Sequence, residues 1–569
     1  MKIFYGNCYS KISDDFTEGF KKMIDDALAV KTQGYFFNQA YKSGFWDGKT
    51  RFFDRKQNTF PSGLLKTVFD LFEDTKPDLI KNQEENEIFV ENEIELFEPS
   101  VENGLIMLRD YQLEAVKTAI TQKRGIINVA TNGGKTEIAC GIIKTLLNVL
   151  PSDKKILFVT HSKEIFHQSA ERIEKRLNIK VGKIGDGVWD EKKVTLVMIP
   201  TISKYILKPN KKDIKETKEI KAIKFIANLL IDELGANKPN KRLLIETVEF
   251  LENEKNPDSY QDLAIQMISR IISEEKTDEK CFDRFLNLID NLNKLEKNRL
   301  NSLNKSHENV LRVLKEAFCF IGDEAHHSSS STWYDTLMLC ENAEYRFGLT
   351  GTVDKSDPIN LMRLYGCMGE VIYKISNNFL IEKGYSAKPI IHLTKIEEPK
   401  ISGDWNEAYK NGIVENEKRN KIIVEQVKNK ASQNKGCLII VNHVKHGENL
   451  KNMLTNEGIY CEFTNGTRNS EDRQNILNDM KSGKLKVLIA STILDEGVDI
   501  SGINCLWLAS GGKSFRQVLQ RIGRGLRKKE DGSDVEVYDF LDFTNRFLTR
   551  HTQERYRYYK TEKFQVKKL

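Results

Sequence analysis

A lysine and a threonine at the mouth of a glycine turn are the first residues of this chain equipped for chemistry. The run Ala130-Thr131-Asn132-Gly133-Gly134-Lys135-Thr136 follows an apolar stretch, Gly125-Ile126-Ile127-Asn128-Val129, that reads as a buried strand. It precedes Glu137-Ile138-Ala139-Cys140-Gly141-Ile142-Ile143, which reads as the start of a helix. Strand, glycine-rich turn, Lys-Thr and helix form a grip for a nucleoside triphosphate. Backbone N–H groups of Thr131, Asn132, Gly133 and Gly134 and of the helix N-terminus face the phosphates. Lys135 reaches the β- and γ-phosphates and the Thr136 hydroxyl sits on Mg²⁺. The full pattern has a glycine six residues before the lysine, where this chain has Val129, so a plain glycine turn stays open on this motif alone.

A second apolar strand, Phe318-Cys319-Phe320-Ile321-Gly322, ends in Asp323-Glu324-Ala325-His326. Carboxylates at the carboxyl end of a strand beside a phosphate loop are where an NTPase holds its metal. Asp323 is expected on Mg²⁺ and Glu324 on the attacking water. Alone, the pair is an acidic turn; downstream of a phosphate loop, the catalytic reading prevails. A third group is Gln520 with Arg524 and Arg527. A γ-phosphate in transit gathers charge on its oxygens, which a guanidinium across the cleft stabilises. Arg524 and Arg527 are three apart and share one helix face; a basic surface helix is the alternative, and it suits Lys528 and Lys529.

The elements that must position these groups follow from length and pattern. A chain of 569 residues has room for about three to four domains. Hydrophobic residues make up 39%, enough for ordinary cores, while a net charge of only +6 restricts any nucleic-acid surface to a local groove. No run of eighteen apolar residues and no basic-then-apolar start occurs, so the expectation is a cytoplasmic protein with no membrane partner. Nine cysteines lack any C-x-x-C pair, and Cys140, Cys319, Cys437 and Cys505 lie in apolar runs as reduced core thiols, which argues against disulfides and a metal cluster.

Residues 1–83 read as a separate α+β unit. Asp14 to Ala29 is an expected helix with Phe16, Phe20, Ile24 and Leu28 on one face. Aromatic and basic residues interleave from Gly34 to Asp54, a composition that suits base stacking and phosphate contact. Tyr35, Phe37, Phe45, Trp46 and Phe52 are expected to form the core of this small domain, which leaves Lys49 and Arg51 as the nucleic-acid candidates. Residues 84–104 are an acidic linker with an edge strand. A first lobe spans 105–386, with a helical insertion at 210–315 whose apolar residues recur at helical spacing. A second lobe, 387–545, alternates strands and helices and so implies a parallel sheet. Residues 546–569 form a basic, aromatic tail, expected as a helix packed on the two lobes, with a basic face that could follow DNA.

These motifs, in this order, resemble a superfamily 2 helicase or translocase of the DEAH-like type. Arg109-Asp110-Tyr111-Gln112 resembles the adenine-reading Q motif, with Arg109 and Gln112 as the implied contacts. Ile156 to Gln168 resembles motif Ia, Val194 to Ser203 the next strand, and Leu438 to Gly447 motif IV. Thr350-Gly351-Thr352 resembles motif III, which couples the lobes, and Ser491 to Asp499 motif V, with Gly497 and Asp499 toward the nucleotide. Gln520 to Arg527 resembles motif VI. The segment GYFFNQAYKSGFWDGKTRFFD, followed by FPSGLL, is similar to the N-terminal domain of phage UvsW-type helicases. The resemblance implies two RecA-like α/β lobes, use of ATP and Mg²⁺, and strand contacts at Ser162, Thr201, His443 and Ser491. It further implies action on single-stranded and branched DNA in recombination, repair and replication, in a host cytoplasm if phage-encoded. RNA or R-loop unwinding, or service as the motor subunit of a nuclease or defence complex, are the alternatives, with the insertion as a docking place for a protein partner.

Overall fold

The computed structural model describes residues 1–72, 76–81, 88–101, 103–130, 132–213, 217–218, 220–226, 245, 248–249, 259–275, 278–353, 357–386, 389–466, 470–491, 503–511 and 535–569. Its residues fall into two compact units, Met1–Thr201 with Lys315–Leu569, and Ile202–Leu314.

The chain begins with a four-stranded sheet in the order β5-β2-β1-β6, built from β1 (Lys2–Tyr5), β2 (Tyr9–Ile12), β5 (Thr59–Pro61) and β6 (Asp78–Lys81). Between β2 and β5 lie the helix Glu18–Ala27 and an antiparallel ribbon of β3 (Ala29–Lys31) and β4 (Lys49–Arg51). The helix starts later than the apolar period suggests because Thr17 caps it, its side chain accepting from the Phe20 N–H. Ile3, Ile12, Phe16, Ile24, Leu28, Phe53 and Phe60 make the core. Phe37 and Phe45, expected in that core, are instead 73% and 90% exposed. They sit on the excursion between β3 and β4, which carries only the short helical turns Tyr35–Phe37 and Gln39–Lys42.

A second ribbon pairs β7 (Glu95–Phe97), inside the acidic segment, with β8 (Leu105–Met107), just after it. Ile94 and Leu96 there are buried in the core of the first lobe. That lobe is an eight-stranded sheet, ordered β12-β11-β13-β10-β14-β15-β9-β16. Its strands are β9 (Arg124–Val129), β10 (Lys155–Thr160), β11 (Gly182–Gly185), β12 (Val188–Asp190), β13 (Val194–Met198), β14 (Ala317–Asp323), β15 (Tyr345–Thr350) and β16 (Val371–Ile375). All pairs but β11–β12 are parallel. Helices on both faces explain why every residue of β14 and β15 is buried and why neither strand alternates in polarity.

The second lobe is a seven-stranded sheet, ordered β19-β20-β18-β21-β22-β17-β23, with every pair parallel. It comprises β17 (Pro389–Ile396), β18 (Cys437–Val441), β19 (Cys461–Thr464), β20 (Val487–Ser491), β21 (Cys505–Leu508), β22 (Val535–Asp542) and β23 (Gln565–Lys568). Both lobes are therefore RecA-like parallel sheets flanked by helices. The tail forms the helix Arg546–Thr561 and then β23, which adds to the sheet beside β17. Arg555 and Tyr559 of that helix point inward, their side chains bonded to Asp539 at 2.9 and 2.8 Å, so only Arg546, Arg550, Arg557 and Lys560 keep a basic outer face. The eight described cysteine side chains are free and buried. Among the described residues no helix is long and apolar enough to cross a membrane.

In the other unit, the helices Ser259–Glu274 and Asp278–Lys315 agree with the helical character expected of the insertion at 210–315, part of which falls outside the described residues. Ile220, Ala222, Ile223, Ile226, Ala264, Ile268, Ile271 and Leu292 are buried there in clusters of their own.

Candidate nucleotide site and its neighbours

The turn after β9 has the backbone its glycines foretell. Asn132 and Gly134 are left-handed, at φ 68° and 79°. A Cβ on Gly134 would lie 2.2 Å from Gln112 Nε2, and one on Gly133 would lie 2.3 Å from Val129 Cγ1. Neither position accepts a side chain, and Val129, standing where the motif has glycine, is packed beneath Gly133. The helix Lys135–Leu147 starts directly after Gly134.

The first turn of the helix Asp110–Gln122 holds this loop. Gln112 Nε2 and the Tyr111 hydroxyl donate to the Gly133 carbonyl at 3.1 and 3.0 Å, while Gln112 Oε1 accepts from the Arg109 N–H at 3.0 Å. The Arg109 guanidinium lies 4.0 Å from the Tyr385 ring centroid. Asn132 donates to Ser386 Oγ at 3.4 Å. Tyr385 and Ser386 thus close the side of the loop that Arg109 and Gln112 approach; no motif marks either residue.

Across the loop stands the end of β14. Lys135 Nζ meets Glu324 Oε1 at 2.6 Å. Glu324 is held at φ 48°, a left-handed conformation costly for a side-chain-bearing residue and typical of functional turns. Asp323 is buried, and its Oδ1 accepts the Glu324 N–H at 2.9 Å. His326 Nδ1 lies 3.2 Å from Thr350 Oγ1 and 3.5 Å from Glu324 Oε2. Thr350 Oγ1 also donates to the Thr352 carbonyl at 2.8 Å, shaping the Thr350-Gly351-Thr352 turn. The His327 ring packs against His326 at 4.3 Å and against His161 at 3.7 Å, so the residue before Ser162 touches the acidic strand end. Sequence reasoning missed this histidine contact.

Arg109, Gln112, Asn132, Gly134, Lys135, Thr136, Asp323 and Tyr385 line one cavity of about 950 Å³, ample for a nucleotide. Glu137, Arg172 and Arg176 line its far wall. Burial opposes ionisation of Glu137, but Arg172 and Arg176 outweigh it and hold the carboxyl below the usual range. The donor set suits a triphosphate with its metal: an ammonium, free-standing loop geometry that a Cβ would fill, a hydroxyl at a helix start and a buried carboxylate. Thr136 and Asp323 would hold Mg²⁺, which supplies charge neutralisation to the phosphates.

The remaining candidates lie apart from this cavity. The Ser162 hydroxyl accepts from the Ile165 N–H at 3.3 Å and caps the helix Lys163–Leu177. Thr201 lies in the short helix Ile199–Ile202 after β13. His443 is exposed before the helix Val444–Asn456, and Ser491 is buried at the end of β20. Lys49 and Arg51 face carboxylates: Arg51 makes two bonds to Asp47 of the excursion, at 3.0 and 2.6 Å, and one to Asp25 of the helix Glu18–Ala27 at 3.2 Å, and Lys49 is 4.0 Å from Asp26 of the same helix. Both anchor the β3–β4 ribbon. Thr131, Gly497, Asp499, Gln520, Arg524 and Arg527 lie outside the described residues.

A phosphate loop thus faces a strand-end Asp-Glu pair on the first of two parallel-sheet lobes, an arrangement suited to a nucleoside triphosphate. Three family models match: the res subunit of type III restriction enzymes at residues 105–355, the helicase conserved C-terminal domain at 417–529, and the N-terminal domain of the DNA helicase UvsW at 3–78. Together the three matches support a superfamily 2 helicase of the UvsW type. It is 25% identical over 282 residues to the ATP-dependent DNA helicase uvsW of Enterobacteria phage T4, covering 45% of this chain and 56% of that one. It is 24% identical over 495 residues to the DNA 3'-5' translocase XPB2 of Sulfurisphaera tokodaii, covering 79% and 87%. The crystal structure of T4 UvsW aligns over 100% of this chain and 98% of its own, at 18% identity and a TM-score of 0.41. The chain spans little more than half the length of the first relatives it matches.

Proposed function

We propose that this protein is an ATP-driven DNA helicase that remodels branched DNA, acting in the cytoplasm. One observation carries the reading: nucleotide chemistry and the N-terminal domain occupy opposite ends of the same strands. The loop and Thr350 follow the carboxyl ends of β9 and β15, whereas the N-terminal domain seats on their amino ends. Arg346, the second residue of β15, is fully buried and donates to the carbonyls of Cys367, Cys340 and Leu337 at 3.0, 3.1 and 2.9 Å and to Cys8 Sγ at 3.1 Å. A Cβ on Gly63 would fall 1.9 Å from the Tyr365 carbonyl, so the two backbones are in direct contact. DNA held by the N-terminal domain therefore moves as one body with the first lobe.

Lys135 binds the β- and γ-phosphates of ATP, Thr136 and Asp323 hold Mg²⁺, and Glu324 orients the attacking water, with Arg524 and Arg527 supplied by the second lobe. Arg109 and Gln112 take the adenine, Gly497 and Asp499 close the nucleotide site, and Thr350-Gly351-Thr352 couples it to strand contacts at Ser162, Thr201, His443 and Ser491. Those contacts address phosphates rather than bases, because a motor must be indifferent to sequence. The test is ATPase and unwinding on single strand, duplex, fork, four-way junction and R-loop. Forks and junctions should give the highest turnover with strand separation. Equal turnover on linear and branched DNA would overturn the branch assignment, and stronger stimulation by RNA of equal sequence would overturn the DNA assignment.

A further inference from the structure

We propose that the excursion between β3 and β4 is a base-stacking platform that takes unpaired bases of single-stranded DNA, with Phe36, Phe37 and Phe45 as its contact rings. The inference rests on the reading that the N-terminal domain meets DNA, and it names the surface that does so. Phe36, Phe37 and Phe45 are 52%, 73% and 90% exposed. Large apolar rings left in water on one short segment are costly and mark a binding surface.

The platform is built rather than loose. The Thr32 N–H donates to the Gly48 carbonyl and closes the excursion at its base. Inside it, Tyr35 and Tyr41 pack edge to face at 4.7 Å, and the Trp46 indole N–H donates to the Lys49 carbonyl at 2.8 Å. Gly48 is left-handed, and a Cβ there would lie 2.7 Å from the Tyr35 ring. Three aromatics thus form the scaffold and three are displayed. Phe36 and Phe37 lie 4.3 Å apart and tilted by 45°, a pair of adjoining faces.

Composition and charge select the occupant. Between Thr32 and Gly48 every large apolar residue is aromatic; there is no Leu, Ile, Val or Met, the side chains that fill protein–protein cores, and the rest are amides, hydroxyls, glycines and one alanine beside Lys42 and Asp47. From Lys31 to Arg51 there are four cations; Asp25, Asp26 and Asp47 face Lys49 and Arg51, which leaves Lys31 and Lys42 as the positive surround. Aromatic faces with a positive surround are what a sequence-tolerant single-strand site requires, since every base has a face to stack. Lys49 and Arg51, paired to Asp26, Asp25 and Asp47, hold the ribbon while the phenyl rings make the contact.

The test uses the full chain with Phe36, Phe37 and Phe45 each changed to Ser, set against a Phe45→Trp protein. Binding is read by anisotropy on an oligothymidine and on a fork carrying 2-aminopurine in its unpaired arm. Because the three rings are exposed, the fold and the ATPase without DNA should be unchanged. Affinity for the single strand should fall about 5- to 150-fold for each stack lost, with the same dependence on salt, since phosphate contacts are retained. The Phe45→Trp protein should keep its affinity and show tryptophan quenching on binding. Unchanged affinity and 2-aminopurine signal in the triple variant would overturn the platform. So would sedimentation showing self-association that disappears in that variant without loss of DNA binding. If the wild type favours forks and the triple variant does so equally with unchanged single-strand affinity, the platform fails and the branch reading stands. If the wild type has no fork preference but the triple variant loses single-strand affinity, the platform stands and the branch reading fails.

Discussion

Replacing Glu324 by Gln should make the protein bind ATP more tightly while nearly abolishing hydrolysis. Lys135 Nζ is 2.6 Å from Glu324 Oε1, with only 12% and 15% of the two side chains exposed. The same ammonium is needed at the β- and γ-phosphates, so nucleotide must first take it from the carboxylate. A hydrogen bond between charged partners is worth about 1.5–3 kcal/mol net. Glutamine keeps the shape and removes the charge, so that cost disappears and ATP affinity should rise about 10- to 150-fold. The water-orienting carboxylate is lost in the same step, and turnover should fall about 10²- to 10⁴-fold. A fluorescent ATP analogue titrated without DNA reads the first quantity, and single-turnover hydrolysis reads the second. Lys135→Ala should behave oppositely toward nucleotide, with affinity and hydrolysis both lost. Unchanged affinity in the Gln variant would refute the competition; near-normal turnover would refute the role of Glu324.

Arg524→Ala or Arg527→Ala should lower kcat by roughly 10³-fold with nucleotide affinity little changed, and a loss confined to DNA affinity in a binding assay would reassign them as backbone contacts. His446 is fully buried, its Nε2 facing Asn420 Oδ1 at 3.0 Å, and burial, aided by Arg419, pushes its pKa down to about 3. The unfolded chain takes up that proton near pH 6.5, so stability is complete above this pH and falls by up to about 1.4 kcal/mol per unit as pH drops toward 3. Urea midpoints against pH should show this slope, and it should flatten in His446→Asn. Arg346→Leu should destabilise the protein by about 3–5 kcal/mol in a denaturation experiment, because three buried carbonyls lose their donor together; a change below about 1 kcal/mol would refute the idea that these bonds hold the lobe.

The strand–loop–helix at Val129 to Thr136 and the strand end at Asp323 were legible because each couples a long buried apolar run to punctuation that has one physical use. The alternation of apolar runs and helical periods likewise foretold the parallel sheet of the second lobe. Contacts between distant segments were not legible. Nothing in the sequence ties His161 to His327, or Tyr385 to Arg109, since ring packing across a cavity leaves no period. Lys49 and Arg51 look outward in sequence because charge alone does not reveal a neighbouring helix carboxylate. Phe37 and Phe45 mislead: hydrophobicity says what prefers burial, and their exposure on the excursion shows only in the fold. In the tail, the period placed a helix, but a buried Arg555 needed Asp539 from β22 before it could be read as core.

Arg346 has a bearing on how such a motor is inherited. A guanidinium closed inside the first lobe, with Cys8 of the preceding domain as one of its partners, is a joint that only matched halves can make. Grafting this N-terminal domain onto another helicase, or trading it for a foreign one, would take from the buried cation the one partner that lies outside its own lobe. The two pieces are thus bound to change together over descent, and a substitution at position 8 or 346 in any relative should be accompanied by one at the other.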